Sequence, residues 1–238
     1  MSLGLLGWID GISAAIVVFS GFFFGGFFLY QARKREAKLL TQLAFIVMFA
    51  GLLYLGVFLD FLSMLSRGKN LSKPQGLVAL LSYIWFPPTM VSAAYLALGI
   101  REHKSQVPFT ALYGVLAVIF YILIFLDPLG SFYLGRYAPP GEGLIDYNIN
   151  SASPAGIFLL IMLAPILIFL GYGAFRFGQE TSGTIRTQFL LLGLGVLSFG
   201  IFGLLEGLTQ PGVAVIFVRI GYLSSFLWMY LGLTRSVE

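Results

Sequence analysis

The sequence predicts an all-α membrane protein: a seven-transmembrane helix bundle forming a single domain over residues 1–238, with its N-terminus outside and its C-terminus cytoplasmic. Three observations carry that prediction. The 238 residues are 58% hydrophobic and only 10% charged, whereas a soluble domain is nearer a quarter charged. A chain of this length has too little polar surface to cover a soluble core, so the excess apolar residues need lipid as solvent. Seven long apolar segments divide the chain, each close to the roughly 20 residues that a spanning helix requires. The basic residues, finally, collect on one side of those segments.

In order, the segments are Trp8–Tyr30, Leu39–Leu65, Leu77–Ile100, Phe109–Leu126, Pro154–Phe175, Thr187–Leu208 and Val213–Thr234. They are continuous and rich in Leu, Phe and Gly, whereas barrel strands are short and alternating. A helix satisfies its own backbone hydrogen bonds within one segment, as lipid demands. Segment 1 is not a signal peptide, because its basic cluster Arg33, Lys34, Arg35 and Lys38 follows the apolar run. Loops 1, 3 and 5 with the C-terminal tail carry nine basic residues: that cluster, Arg101, Lys104, Arg176, Arg186 and Arg235. The N-tail and loops 2, 4 and 6 carry four: Arg67, Lys69, Lys73 and Arg136. The excess marks the first set as cytoplasmic, with loop 2 the one dissonant element.

Several segments carry structural punctuation. Pro87-Pro88 removes two backbone donors and predicts a kink in segment 3; segment 5 holds Pro165. The turn Gln210-Pro211-Gly212 makes segments 6 and 7 antiparallel neighbours. Loop 4, from Asp127 to Ser153, is rich in turn formers, including Pro139, Pro140 and Gly141. It is either a solvated linker or a cap over a pocket. Gly21 with Gly25, and Gly203 with Gly207, form GxxxG pairs suited to close helix contacts.

Composition closes several chemistries. There is no cysteine, and the single histidine, His103, lies in a charged loop. Disulfides, thiol catalysis, multi-histidine metal centres and bis-histidine haem are therefore excluded. No cofactor is expected. No acid, base or nucleophile cluster appears at membrane depth, so no enzyme is expected either. Nothing in the pattern points to nucleic acid.

The candidate functional residues are ionisable groups inside the spans, which are costly in lipid and usually paired or functional. Asp60 and Glu206 lie near the outer ends of segments 2 and 6, and Arg219 about two turns below the outer end of segment 7. Glu206 and Arg219 then face each other at similar depth. Two readings follow: an interhelical salt bridge without a ligand, or an outward-facing pocket in which Arg219 binds an anionic group or Glu206 a cation. Asp60 and Glu206 could also simply reach the headgroups. Tyr83 and Trp85 above the proline pair, with Tyr54 and Tyr222, could line the same pocket, or serve only in packing and interface belts. Arg33, Lys34, Arg35 and Lys38 form a cytoplasmic patch for anionic lipid or a protein partner. Asn70-Leu71-Ser72 is a formal glycosylation sequon.

The seven helices, the longer outer loop between helices 4 and 5, and the inner loop RFGQETSGTIRTQFLLLGLG, with Arg186 and Gln188 opening helix 6, resemble the seven-helix N-terminal sensor region of prokaryotic histidine kinases. No phosphoacceptor helix or ATP-binding domain follows before Arg235-Ser-Val-Glu238. The resemblance thus implies a sensor standing alone or cut from a longer protein. Segment 7 has no lysine for a retinal Schiff base, since all five lysines lie in loops. The function expected is a non-catalytic, receptor-like sensor of the cell membrane. It binds a small amphipathic or anionic ligand and signals through a cytoplasmic partner. A small transporter or channel, or a scaffold without ligand, are the alternatives.

Overall fold

The computed structural model describes residues 3–71, 76–100, 104–134, 143–145, 147–209 and 213–234. Within them, α1 (Leu5–Lys34) runs through the first apolar segment and on to the basic cluster. A tight turn at Glu36 returns the chain into α2 (Lys38–Leu52) and α3 (Leu55–Arg67). Then come α4 (Leu77–Tyr83), α5 (Phe86–Gly99) and α6 (Gln106–Leu126). The short α7 (Pro128–Ser131) leads into an antiparallel ribbon of β1 (Phe132–Leu134) and β2 (Tyr147–Ile149). The chain continues through α8 (Pro154–Ile166), a π-helical turn (Leu167–Tyr172) and α9 (Gly173–Glu180), and ends with α10 (Gly183–Leu208) and α11 (Val213–Thr234).

Six of these spans are long and apolar enough to cross a membrane: α1, α4 with α5, α6, α8 through α9, α10 and α11. The pair α2 and α3, bent by 44°, makes a seventh if it is one span. The surface agrees with lipid as solvent. Phe19, Phe23, Val115, Val118, Ile122, Phe125, Ile168, Phe217 and Ile220 all face outward, while Asp60 and Arg219 are buried. In water that distribution would expose a continuous apolar belt far beyond what soluble monomers tolerate. The chain is an all-α, multi-pass membrane protein.

The helices close into a ring. α1 packs on α2, α2 on α5, α5 on α6 and α6 on α8; the π turn and α9 lean on α10, α10 on α11, and α11 returns to α1. Glycine allows the tightest crossing. A Cβ on Gly21 would lie 2.7 Å from the Gly51 Cα, so α1 and α2 touch backbone to backbone. The first GxxxG pair therefore serves a contact within this chain. The second does not: Gly207 has nothing within 4 Å of its Cβ position, and Gly203 only Tyr222 at 3.8 Å.

Three spans are irregular, and a tyrosine hydroxyl meets each irregularity. Pro87 and Pro88 do not kink a continuous helix. The helix breaks at Ile84-Trp85 and the prolines open α5, where a missing N–H costs nothing. The Ile84 carbonyl, which would have accepted from residue 88, accepts from the Tyr121 hydroxyl at 2.7 Å. At the α2–α3 bend the Ala50 carbonyl accepts from the Tyr222 hydroxyl at 2.9 Å. Beside Pro165 the Met162 carbonyl accepts from the Tyr113 hydroxyl at 2.8 Å. Of the three carbonyls, that of Ile84 has lost its helical donor to a proline, while that of Ala50 also accepts from the Leu53 amide at 3.3 Å. In hydrocarbon no water can supplement such irregular turns, so a side-chain donor does.

Candidate functional site

The described residues of loop 4 include the ribbon, which lies as a cap over this end of the bundle. Asp127 caps α7 by accepting from the Gly130 amide at 2.9 Å, and Ser153 caps α8 by accepting from the Gly156 amide at 3.1 Å. The Asn150 amide donates to the Ser131 carbonyl at 2.8 Å, continuing the ribbon toward α8. Tyr147 donates its hydroxyl to Ser82 Oγ, and the same oxygen accepts from the Gly56 amide at 2.9 Å. A Cβ on Gly56 would lie 1.9 Å from the Val78 carbonyl, so only glycine lets α3 approach α4 here.

Asp60 anchors the cap. It is fully buried, accepting from the Asn70 side chain at 2.8 Å, the Leu71 amide at 2.6 Å and the Ile145 amide at 2.8 Å. Three N–H donors solvate one carboxylate and tie the α3–α4 connection to loop 4. The headgroup reading of Asp60 is thus replaced by a buried clasp. Asn70 also donates to the Gly143 carbonyl at 3.2 Å, so its amide is committed to this clasp rather than presented as a free sequon.

Beneath the cap, at the end of the bundle where α1 begins, lies a cavity of about 660 Å³. That is within the roughly 300–1,000 Å³ range of small-molecule sites. One wall carries a charged cluster. Arg219, with 5% of its side chain exposed, reaches Glu206 Oε1 through Nε at 3.0 Å and Nη2 at 2.9 Å. Its Nη1 contacts Asp10 Oδ1 at 2.6 Å, the Asp10 carbonyl at 2.8 Å and Ser13 Oγ at 2.6 Å. The guanidinium also lies 5.1 Å from the centre of the Tyr54 ring, a cation–π distance. Glu206 Oε2 is buried and has no hydrogen-bond partner of ordinary geometry. Nearly all the fork of Arg219 is spent on protein groups, which leaves little of it for an anion.

The other walls are aromatic and aliphatic. Tyr54, Tyr83, Phe86, Tyr147, Phe199 and Tyr222 are among the lining residues. Tyr83 stands 5.0 Å from Phe132 and 6.1 Å from Tyr147, ring to ring. Tyr222 presents its ring to the cavity while its hydroxyl is engaged with Ala50. Below, the interior closes over apolar side chains that include Met90, Met162, Leu170, Phe226 and Met229. A void there is lined by apolar side chains and Thr89 and measures about 10 Å³.

The six residues singled out from the sequence divide into two groups. Arg219, Glu206, Tyr83 and Tyr222 line the cavity, and Asp60 and Trp85 do not. Trp85 stacks on Phe49 at 5.8 Å between ring centres. Its place beside the proline pair in sequence puts it on another face of the helix break. Asp10, Ser13, Tyr133, Tyr147 and Asn148 were missed. Asp10 was within reach of the rule applied to the other acids, since it lies inside an apolar segment. The ribbon residues carried no signal, because loop 4 has no hydrophobic period long enough to place it. At the opposite end, Arg33, Lys34, Arg35 and Lys38 are exposed on the α1–α2 turn, as is Lys104. Arg101 and His103 lie outside the described residues. Among the described residues, no cluster of three or more His, Cys, Asp or Glu could hold a metal.

Comparison with protein-family models finds no match to this chain, and comparison with curated proteins finds none either.

Proposed function

We propose that this protein is a seven-span, receptor-like sensor of the cell membrane, N-terminus outside, that takes a small ligand into the capped cavity and passes the change to a cytoplasmic partner. The observation that carries this reading is the cavity itself: it combines an apolar body with a few convergent polar groups, and it sits under a pinned cap. The charge asymmetry of the loops supports the orientation, placing the cavity in the outer half. The resemblance to the sensor regions of histidine kinases supports the class. The exposed Arg33, Lys34, Arg35 and Lys38 offer a docking surface for an acidic partner. The charged groups at the cavity are bonded to one another rather than arranged around an open reaction centre, which favours binding over catalysis.

A transporter needs a route through the lower half. The apolar floor over Met90, Met162 and Met229 favours a one-sided site. A ligand signals only if it binds two helix arrangements with different affinity. The irregular α2–α3 and α8–π–α9 spans, both beside the cavity, are where such a difference would register.

The absence of native cysteine makes the test direct. Ser151→Cys, at the cavity mouth, is expected to react with an impermeant maleimide from outside intact cells, and Lys34→Cys only after permeabilisation. Hydrogen exchange at the α9–α10 turn is expected to slow or quicken when an amphiphile occupies the cavity. Reversed labelling would overturn the orientation. Occupancy with unchanged exchange at that turn would overturn the sensor in favour of a passive binding protein.

A further inference from the structure

The geometry points to an amphipathic organic cation as the ligand of the cavity, a protonated amine or quaternary ammonium on an apolar body, admitted sideways from the lipid between α8 and α10. This inference rests on the cavity being a ligand site, as proposed above, and adds its chemistry and its route.

Charge comes first. Among the described residues, Asp10, Glu206 and Arg219 are the charged side chains lining the cavity. These two carboxylates and one guanidinium carry one formal negative charge in excess. Arg219 is already bonded to both acids, to a backbone carbonyl and to Ser13, so it has little left to offer an incoming anion. The excess sits where it can be used: Glu206 Oε2 is buried in the wall without a hydrogen bond of ordinary geometry, with the Tyr54 hydroxyl as the neutral donor beside the carboxylate. A carboxylate oxygen so weakly partnered in a low-dielectric wall gains when a cation reaches it. An ammonium group supplies both at once. An anion would meet two carboxylates at short range, where repulsion is least screened.

The aromatic lining fits the same ligand. Ring faces carry partial negative charge, and cations over Tyr, Phe or Trp gain more when water is excluded. Tyr54 already holds Arg219 in this way, and Tyr83, Tyr147, Phe199 and Tyr222 surround the remaining space. Their rings also take up the apolar body of the ligand.

The route follows from two helices that part. α8 and α10 both line the cavity, yet pack on each other hardly at all; α10 instead leans on the π turn and α9 below. Leu160 of α8 and Gly203 of α10 both line the cavity and are exposed on the surface. Gly203 and Gly207 project no side chain, and a Cβ at Gly207 would meet nothing within 4 Å. The opening therefore faces the hydrocarbon side of the bundle, and a lipid-soluble cation reaches it without crossing the cap.

Three probes on one skeleton test this: 4-phenylbutylamine, 4-phenylbutanol and 4-phenylbutyrate, titrated against the purified full chain in a non-ionic detergent. The amine is expected to raise the melting temperature and to bind at least tenfold more tightly than the alcohol, with the carboxylate weakest. Glu206→Gln is expected to remove the tenfold advantage of the amine over the alcohol. Gly203→Phe, which projects a ring into the cavity and leaves every charged residue in place, is expected to abolish amine binding; it also covers the case in which Glu206→Gln does not fold. Leu160→Trp is expected to slow amine association several-fold. Equal or tighter binding of the alcohol or the carboxylate overturns the cation and leaves the cavity standing. Binding of none of the three, or binding indifferent to Gly203→Phe, overturns the ligand site itself. Association unchanged by Leu160→Trp overturns the lateral route.

Discussion

Asp60 and Arg219 are both buried charges, and they are stabilised in different ways. Asp60 has no cation within salt-bridge reach among the described residues and is held by three N–H donors, whereas Arg219 is held by two carboxylates. Hydrogen bonds to a charged acceptor are stronger than neutral ones, so the Asp60 clasp is expected to be rigid. Asp60→Asn keeps the shape and exchanges one acceptor for an NH₂ group. That group would face the amide of Leu71 or Ile145, leaving a buried donor unpaired at a cost of about 1–3 kcal/mol. Hydrogen exchange at those two amides should accelerate and the melting temperature should fall. Unchanged exchange at both would show that the cap is held by something other than this carboxylate.

The elements show how a membrane helix tolerates interruption. The broken spans are α2–α3, α4–α5 and α8–π–α9, and each has a carbonyl near its irregularity that accepts from a tyrosine of another helix. Each of those tyrosines thus joins two spans as well as satisfying a backbone group. Tyr121→Phe deletes the bond to Ile84 and keeps the ring, isolating the hydroxyl. The loss expected is about 0.5–1.5 kcal/mol, the usual net worth of such a bond. A calorimetric or denaturant melt in detergent would register it as a lower midpoint. No change would mean that the Ile84 carbonyl finds another donor in the broken turn.

At the scale of the whole molecule, Arg219 closes the ring. It sits on the last helix, Glu206 on the helix before it and Asp10 on the first, so one guanidinium joins the two ends of the chain. Arg219→Ala leaves two half-buried carboxylates facing each other without compensation, and removing one partner of a buried pair costs at most about 3–5 kcal/mol. The combination Asp10→Asn, Glu206→Gln and Arg219→Met removes every charge and is expected to melt well above Arg219→Ala. If the single variant melts like the parent, the cluster is not what holds α1 against α11.

Most of the architecture was legible because lipid imposes it. Helices are the economical way to satisfy a backbone within one segment, so apolar run length placed the spans, and α11 was bounded as Val213–Thr234 from the sequence. The same rule flagged Glu206, Arg219 and Asp60, since a charge at membrane depth must find a partner. Which partner was a matter of tertiary structure. Asp60 was drawn into a loop clasp by backbone amides of Leu71 and Ile145, and Asp10 was brought to Arg219 by the return of the last helix to the first. The cavity, too, depends on how α8 and α10 part beyond the π turn, which no residue pattern encodes locally. Hydrophobicity is a property of each segment taken alone, whereas pairing and empty space exist only between segments.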